Sequence, residues 1–193
     1  ILTLHAHGDH VAGHAAMQEA TGAQILAPEA DAPVIETGGK ADPHSKPWTP
    51  AKVDRRIIDG EKLTLGGTTL TAHLTPGHTK GCNSWTTTAK EEGKTYNVIF
   101  MCGVRMDGET LLDDAEYPNI ASDFAGSFKT LKSLPVDVYL GGHGYWFAFG
   151  EKIARMKAGE GYKAWIDPEG YRTSIDGWQQ IFVDQLVNEA MAK

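Results

Sequence analysis

"HAHGDH" occupies residues 5–10 and sets His5, His7, Asp9 and His10 within six residues, directly behind the apolar run Ile1-Leu2-Thr3-Leu4. The run reads as a short buried strand. Val11 to Ala20 reads as a helix closed by Gly22, a residue suited to a left-handed C-terminal cap. The ligand-rich stretch is therefore the turn from a strand into a helix. On an extended backbone His5 and His7, two positions apart, point to the same side and can share one metal ion. Asp9 and His10 fall where the chain turns, so their side chains can face a neighbouring point, which would be a second ion. Neutral imidazole and carboxylate are donors that Zn²⁺ accepts, and a hydrolytic zinc site usually keeps three protein ligands and an open position for water. The motif supplies only two ligands per ion, so each ion needs one more.

Of the eight histidines, two others stand in fitting places. His78 lies in "TPGHTKGC", directly after a strand pattern, where Gly77 and Gly81 let the backbone turn tightly. His143 lies in "DVYLGGHGYWF", where an apolar strand ends in Gly141-Gly142 and releases the side chain at the strand tip. Each can complete one ion. His14, His44 and His73 lack such a setting and read as surface or packed residues. For Trp146, Phe147 and Phe149, core packing and the lining of a pocket beside His143 are both open. Asp107, Asp113, Asp114 and Glu116 read as a solvated acidic loop.

The surrounding pattern is that of an α/β chain. Gln24 to Ala27 is a second short strand, and Pro28 suits the first turn of a helix running to about Glu36, which gives a βαβα start. Thr37 to Pro50 is a loop around His44 and Trp48. The period then changes. Arg56 to Ile58, Lys62 to Leu65 and Thr69 to Leu74 are short β-type runs separated by the hairpin signals Asp59-Gly60 and Gly66-Gly67, an antiparallel stretch. Ser84 to Thr88 and Thr95 to Met101 flank another turn. Ile120 to Leu131 has helical spacing, Val136 to Leu140 is a buried strand, Phe149 to Met156 is a helix, and an apolar stripe from Ile181 to Met191 makes the tail a helix.

Length and composition allow one domain spanning residues 1–193 with a substantial core, at 41% hydrophobic and 22% charged residues. The net charge of -7, with no cluster of Lys or Arg, opposes binding to nucleic acid or an anionic membrane, and neither partner is expected. No apolar run approaches the roughly 20 residues that cross a bilayer, and no charged-then-apolar signal precedes Ile1. Because the chain opens directly on a strand that delivers a site, an N-terminal portion is expected to be absent.

These motifs resemble the metallo-β-lactamases of the metallo-β-lactamase superfamily. The resemblance runs over nearly the whole chain, through HxHxDH at His5 to His10, the third histidine in "TPGHTKGCNSW" and the last in "LGGHGYWF". It implies an αββα sandwich, here lacking its first strands, with the zinc loops along one edge of the two sheets. It also implies two Zn²⁺ ions, the first held by His5, His7 and His78 and the second by Asp9, His10 and His143. Histidine at residue 5, the "PGHTKGC" context and the segment from Glu116 to Val138 are most like the third subclass, whose first site is all histidine. The implied activity is opening of the β-lactam ring by a metal-bound hydroxide, with Asp9 both a ligand and the catalytic hydrogen-bond partner of the nucleophile. A small-molecule β-lactam substrate, a monomer and a periplasmic or secreted location go with that resemblance. The strands missing ahead of His5 would leave apolar sheet faces exposed, loosely packed or covered by a partner.

One position departs from the family. The strand after the third histidine often ends near the second metal with an aspartate bridge in glyoxalase II and lactone hydrolases, or with serine in the third subclass, and here that position is Gly103. Glycine cannot bridge, which argues against a lactone, ester or thioester hydrolase, the alternative reading beside an inactive zinc-binding fragment. Arg105, two residues on, is a candidate carboxylate clamp in place of the serine, with Trp146 as a second substrate contact. Cys82 and Cys102 match positions that pair in several relatives, which implies a disulfide and an oxidising compartment.

Overall fold

The segment ahead of the histidine motif runs beside a strand instead of forming one. In the computed structural model, which describes residues 1–193, Leu2 makes one parallel bridge to Leu26 of β1 (Leu26–Pro28) and no longer ladder. The expected strand at Ile1 to Leu4 is corrected accordingly. Its carbonyls are satisfied by a mixture of groups: Ile1 O accepts from Leu26 N at 3.0 Å, Thr3 O accepts from Asn83 Nδ2 at 2.9 Å, and Leu4 O accepts from both Asn83 N at 2.9 Å and Asn83 Nδ2 at 2.8 Å. The expected helix after it is two, α1 (Gly8–Val11) and α2 (His14–Thr21), broken at Ala12-Gly13 where glycine disfavours continuation. Gly22 does close α2, at φ 67°. Pro28 ends β1 and opens no helix; α3 (Ala32–Glu36) starts after Asp31 and carries Pro33 in its first turn.

A second correction concerns β2 (Arg55–Ile57), which pairs parallel with β1 and takes no part in the antiparallel stretch. The helix α3 and the following loop form the crossover that a parallel pair requires. The antiparallel run consists of β3 (Lys62–Leu65), β4 (Thr68–Leu74), β5 (Asn83–Glu91) and β6 (Lys94–Met101), in that order across the sheet. After α4 (Ile120–Ser133), β7 (Val138–Gly141) joins β6 in parallel and completes a five-stranded sheet. A 3-10 turn over Gly144–Phe147, α5 (Phe149–Arg155) and the long α6 (Pro168–Met191) close the chain, α6 being capped by Asp167.

Three buried clusters mark the contacts between four layers. Ala6, Val11, Ile25, Ala27, Ala32 and Ile35 pack α1 and α3 on the two-stranded sheet. Ile57, Ala72 and Trp85, with Leu26, Leu63 and Leu70, lie between the sheets. Ile99, Met101, Phe124, Phe128, Tyr171 and Phe182 join β6 to α4 and α6. The alternation along β6 follows from this: Ile99 and Met101 face the helices, whereas Phe100, opposite Trp85, faces the other sheet. Two short strands cannot cover five, and Phe100 and Leu65 on that inner face stay 37% and 88% exposed. The layer order is the αββα sandwich that the resemblance implies.

Candidate metal centre

All the ligand-type residues of the motif leave the sheets at one edge. His7 is the N-cap of α1, with extended dihedrals, and its carbonyl accepts from both His10 N and Val11 N at 3.0 Å. That tight turn separates His5 and His7 from Asp9 and His10. His78 sits in the connection from β4 to β5, behind Gly77 at φ 140°, where a Cβ would lie 2.6 Å from Phe124. Only glycine meets both demands. His143 follows β7 and begins the 3-10 turn, its carbonyl accepting from Trp146 N at 3.0 Å.

The structure brings His5, His7 and His78 into one group and Asp9, His10 and His143 into another, the ligand atoms of each lying within 4.8 Å of one another. In the second group His10 Nε2 is 3.1 Å from His143 Nε2, and Asp9 Oδ2 is 3.5 Å and 3.3 Å from those two nitrogens. Tetrahedral zinc, with bonds of about 2.0–2.1 Å, requires ligand atoms about 3.3 Å apart, so this triangle fits the ion. The first group offers a different sign: His5 is fully buried and neither ring nitrogen has a partner. Such a group is costly unless something binds it, and a cation is what a neutral imidazole lone pair accepts.

Burial keeps His5, His78 and His10 in the neutral form that can ligate. Burial, reinforced by the imidazoles of His78, His10 and His7, pushes the His5 pKa far below the ordinary histidine value. Burial, then His7, lowers His78 to about 4, against the opposing pull of the Arg105 carbonyl. Burial likewise lowers His10, with Asp9 pulling the other way. His78 Nδ1 lies 2.9 Å from Arg105 O, and because a carbonyl only accepts, Nδ1 carries the proton and Nε2 is left for a metal.

Trp146, expected among the substrate contacts, is buried and packs against the ligands themselves. Its ring centroid is 4.7 Å from that of His143, 5.9 Å from His78 and 6.4 Å from His10, with which it is stacked. It also explains Gly103. A Cβ there would lie 2.7 Å from His78 Cδ2 and 2.9 Å from Trp146 Cη2, so the His78 ring and the indole together occupy the room a serine would need. Arg105 stands at the rim, with Nε 2.7 Å from Asp107 Oδ1 and Nη1 3.5 Å from Tyr145 OH. Asp107 is thereby part of the rim and not simply solvated. Cys82 and Cys102 are joined in a disulfide that ties the His78 loop to the end of β6. His14 bonds Thr3, His73 bonds Thr86, and exposed His44 faces Glu116; none reaches either group.

Sequence reasoning missed three residues around the site. Tyr145 stacks on His143 at 5.3 Å. Asn83 and Asp31 hold the ligand-bearing segments by hydrogen bonds. Tyr145 had a signal, its place beside His143; Asn83 and Asp31 had none, since their partners are distant in sequence.

With this geometry in place, the sequence model of the metallo-beta-lactamase superfamily matches residues 1–143. The chain belongs to that superfamily. It is similar to the native FEZ-1 metallo-beta-lactamase from Legionella gormanii, with 36% identity and a TM-score of 0.94 over 98% of this chain and 74% of that one. BJP-1, a subclass B3 metallo-beta-lactamase of Bradyrhizobium japonicum, is also 36% identical, with a TM-score of 0.90 over 100% of this chain and 74% of that one. The curated relatives carry another name. A hydroxyacylglutathione hydrolase of Hyphomonas neptunium is 28% identical over 174 residues, 86% of this chain and 58% of the relative. The chain spans less than two thirds of the first curated relatives it matches, 26% of one and 58% of another. No helix is long and apolar enough to cross a membrane.

Proposed function

We propose that this superfamily member is a zinc-dependent hydrolase that opens the β-lactam ring. The observation that carries the reading is the pair of ligand groups, one all-histidine and one Asp-His-His, set side by side at the edge of the sandwich. His5, His7 and His78 would hold one Zn²⁺ ion, and Asp9, His10 and His143 the other. When bound, the ions supply Lewis acidity and a water acidified towards pH 7. The side chains do the remaining work. Asp9, whose side chain is 59% exposed, would both serve as a ligand and accept a hydrogen bond from the water nucleophile. The Arg105 guanidinium, with Nε held by Asp107, can offer its outer nitrogens to the carboxylate that β-lactams carry. The disulfide agrees with a periplasmic or secreted setting.

The curated relatives favour a second reading, thioester hydrolysis. Gly103 weighs against it, since glycine leaves no carboxylate to bridge two metals at that position. Turnover of nitrocefin, a lactone and a hydroxyacylglutathione thioester, each with two equivalents of zinc and then with excess chelator, separates the readings. Chelator-sensitive nitrocefin hydrolysis exceeding thioester hydrolysis is the expected result; the reverse order would move the assignment to the thioester.

A further inference from the structure

Asp31 is 2% exposed, lies at the start of α3 and belongs to neither ligand group. Its carboxylate is nonetheless fully engaged by the segments that carry the first group. Oδ2 accepts from Ala6 N, between His5 and His7, at 2.8 Å, and from Thr79 Oγ1, next to His78, at 2.9 Å. Oδ1 accepts from Gly81 N at 2.8 Å. These partners are 25, 48 and 50 residues from Asp31, so the bonds join parts of the chain that no local structure links. The contact is close enough to dictate a glycine: a Cβ on Gly81 would lie 2.5 Å from the Asp31 carboxyl carbon.

We infer that Asp31 is the positioning residue of the His5, His7 and His78 group, one buried carboxylate holding the His5–His7 segment and the His78 loop at a fixed separation. The inference rests on the metal-binding reading above. A carboxylate suits the task because both its oxygens only accept, whereas three donors converge on it. Asparagine has the same shape but one acceptor oxygen, and its amide nitrogen would face either the Ala6 or the Gly81 N–H. The Asp9, His10 and His143 group has no bond to Asp31 and should not depend on it.

The test compares the whole chain with Asp31→Asn, Gly81→Ala, which displaces the carboxylate from the other side, and Asp54→Asn. Asp54 also accepts a backbone N–H, from Ile25 at 3.0 Å, but away from the site, and controls for general loosening. Zinc is titrated in competition with a chromophoric chelator, with His143→Ala identifying the equivalent held by the second group. Asp31→Asn and Gly81→Ala are expected to weaken the first equivalent by about 10- to 100-fold, the usual size for a group that orients ligands, and to leave the second in place. Asp54→Asn should change neither. Equal weakening of both equivalents, or of neither, overturns the assignment. Hydrogen exchange in the metal-free protein tests the clamp apart from the metal: the Ala6 and Gly81 amides should exchange faster in Asp31→Asn, and unchanged exchange would overturn it. A wild-type chain that binds no zinc would instead count against the metal reading, with the exchange result still deciding the clamp.

Discussion

The two ligand groups draw on similar donors yet live in different surroundings. His5 and His78 are 0% and 5% exposed, whereas the side chains of Asp9 and His143 are 59% and 33% exposed. The buried group is built from a segment and a loop that are bonded together, through Asp31, Asn83 and the Cys82–Cys102 disulfide. The open group gathers the first turn of α1 and the tip of β7, which meet at the ligands themselves. The contrast shows how the single turn that leads into α1 serves two purposes: its inner side presents pre-set imidazoles, and its outer side presents a carboxylate to whatever enters. A rigid site supports tight binding, and an exposed one supports exchange of water and substrate.

The strongest way to break this contrast is to truncate one ligand in each group. His78→Ala is expected to weaken the tighter zinc equivalent by several orders of magnitude and to abolish hydrolysis. His143→Ala should release the weaker equivalent first, with the tighter one retained. Equilibrium dialysis against a chelator series reads both, and equal losses would erase the distinction.

Replacing both cysteines with serine should affect the buried group more. The disulfide closes a loop with a sequence separation of 20, and its loss is expected to cost about 3 kcal/mol of stability by the chain-entropy relation. Denaturant melts measure this directly. Zinc titration of the same variant should show the first equivalent loosened and the second unchanged.

Acid offers a gentler probe of the metal-free protein. His78 titrates at about 4 and His5 lower still when folded, because burial disfavours their charged forms, while unfolded histidine titrates near 6.5. Between about 6.5 and 4 the unfolded chain therefore binds protons that the folded chain refuses. Stability should fall as the pH drops through that window, and the His78 contribution should level off below it. Melting temperatures at several pH values, with and without excess zinc, follow the effect; a flat profile would mean that the buried rings are hydrated.

The smallest expected change lies at the rim. Arg105→Ala should raise KM for a carboxylate-bearing β-lactam by about 10-fold with kcat little altered, the size of one charge-assisted hydrogen bond. An unchanged KM would remove Arg105 from substrate recognition.

How much was legible beforehand varied with the range of the interactions. The cap at Gly22 and the hairpin turn at Gly66-Gly67 are local, and each stands where its sequence signal lies. The run at Arg56 to Ile58 misled, because Asp59-Gly60 resembles a hairpin signal while the partner of β2 is β1, on the far side of α3. The segment from Ile1 to Leu4 misled for a related reason: its apolar pattern is that of a strand, but it pairs with β1 only at Leu2, and its Thr3 and Leu4 carbonyls find Asn83. Gly103 could be read only as a departure until Trp146 was seen filling the adjacent space.

The sequence by itself determined the donor set and the turn that divides it, because spacing within "HAHGDH" and glycines beside His78 and His143 act through short-range backbone geometry. Residue spacing left open which distant histidine each half of the motif meets; the family resemblance implied the pairing, and the tertiary structure brings it about, His10 reaching His143 across 133 residues. It alone decided that a carboxylate at Asp31 would hold two ligand segments together. The physical reason is common to both: such contacts depend on how layers pack and on which buried donors find acceptors, and neither is encoded in any local pattern of residues.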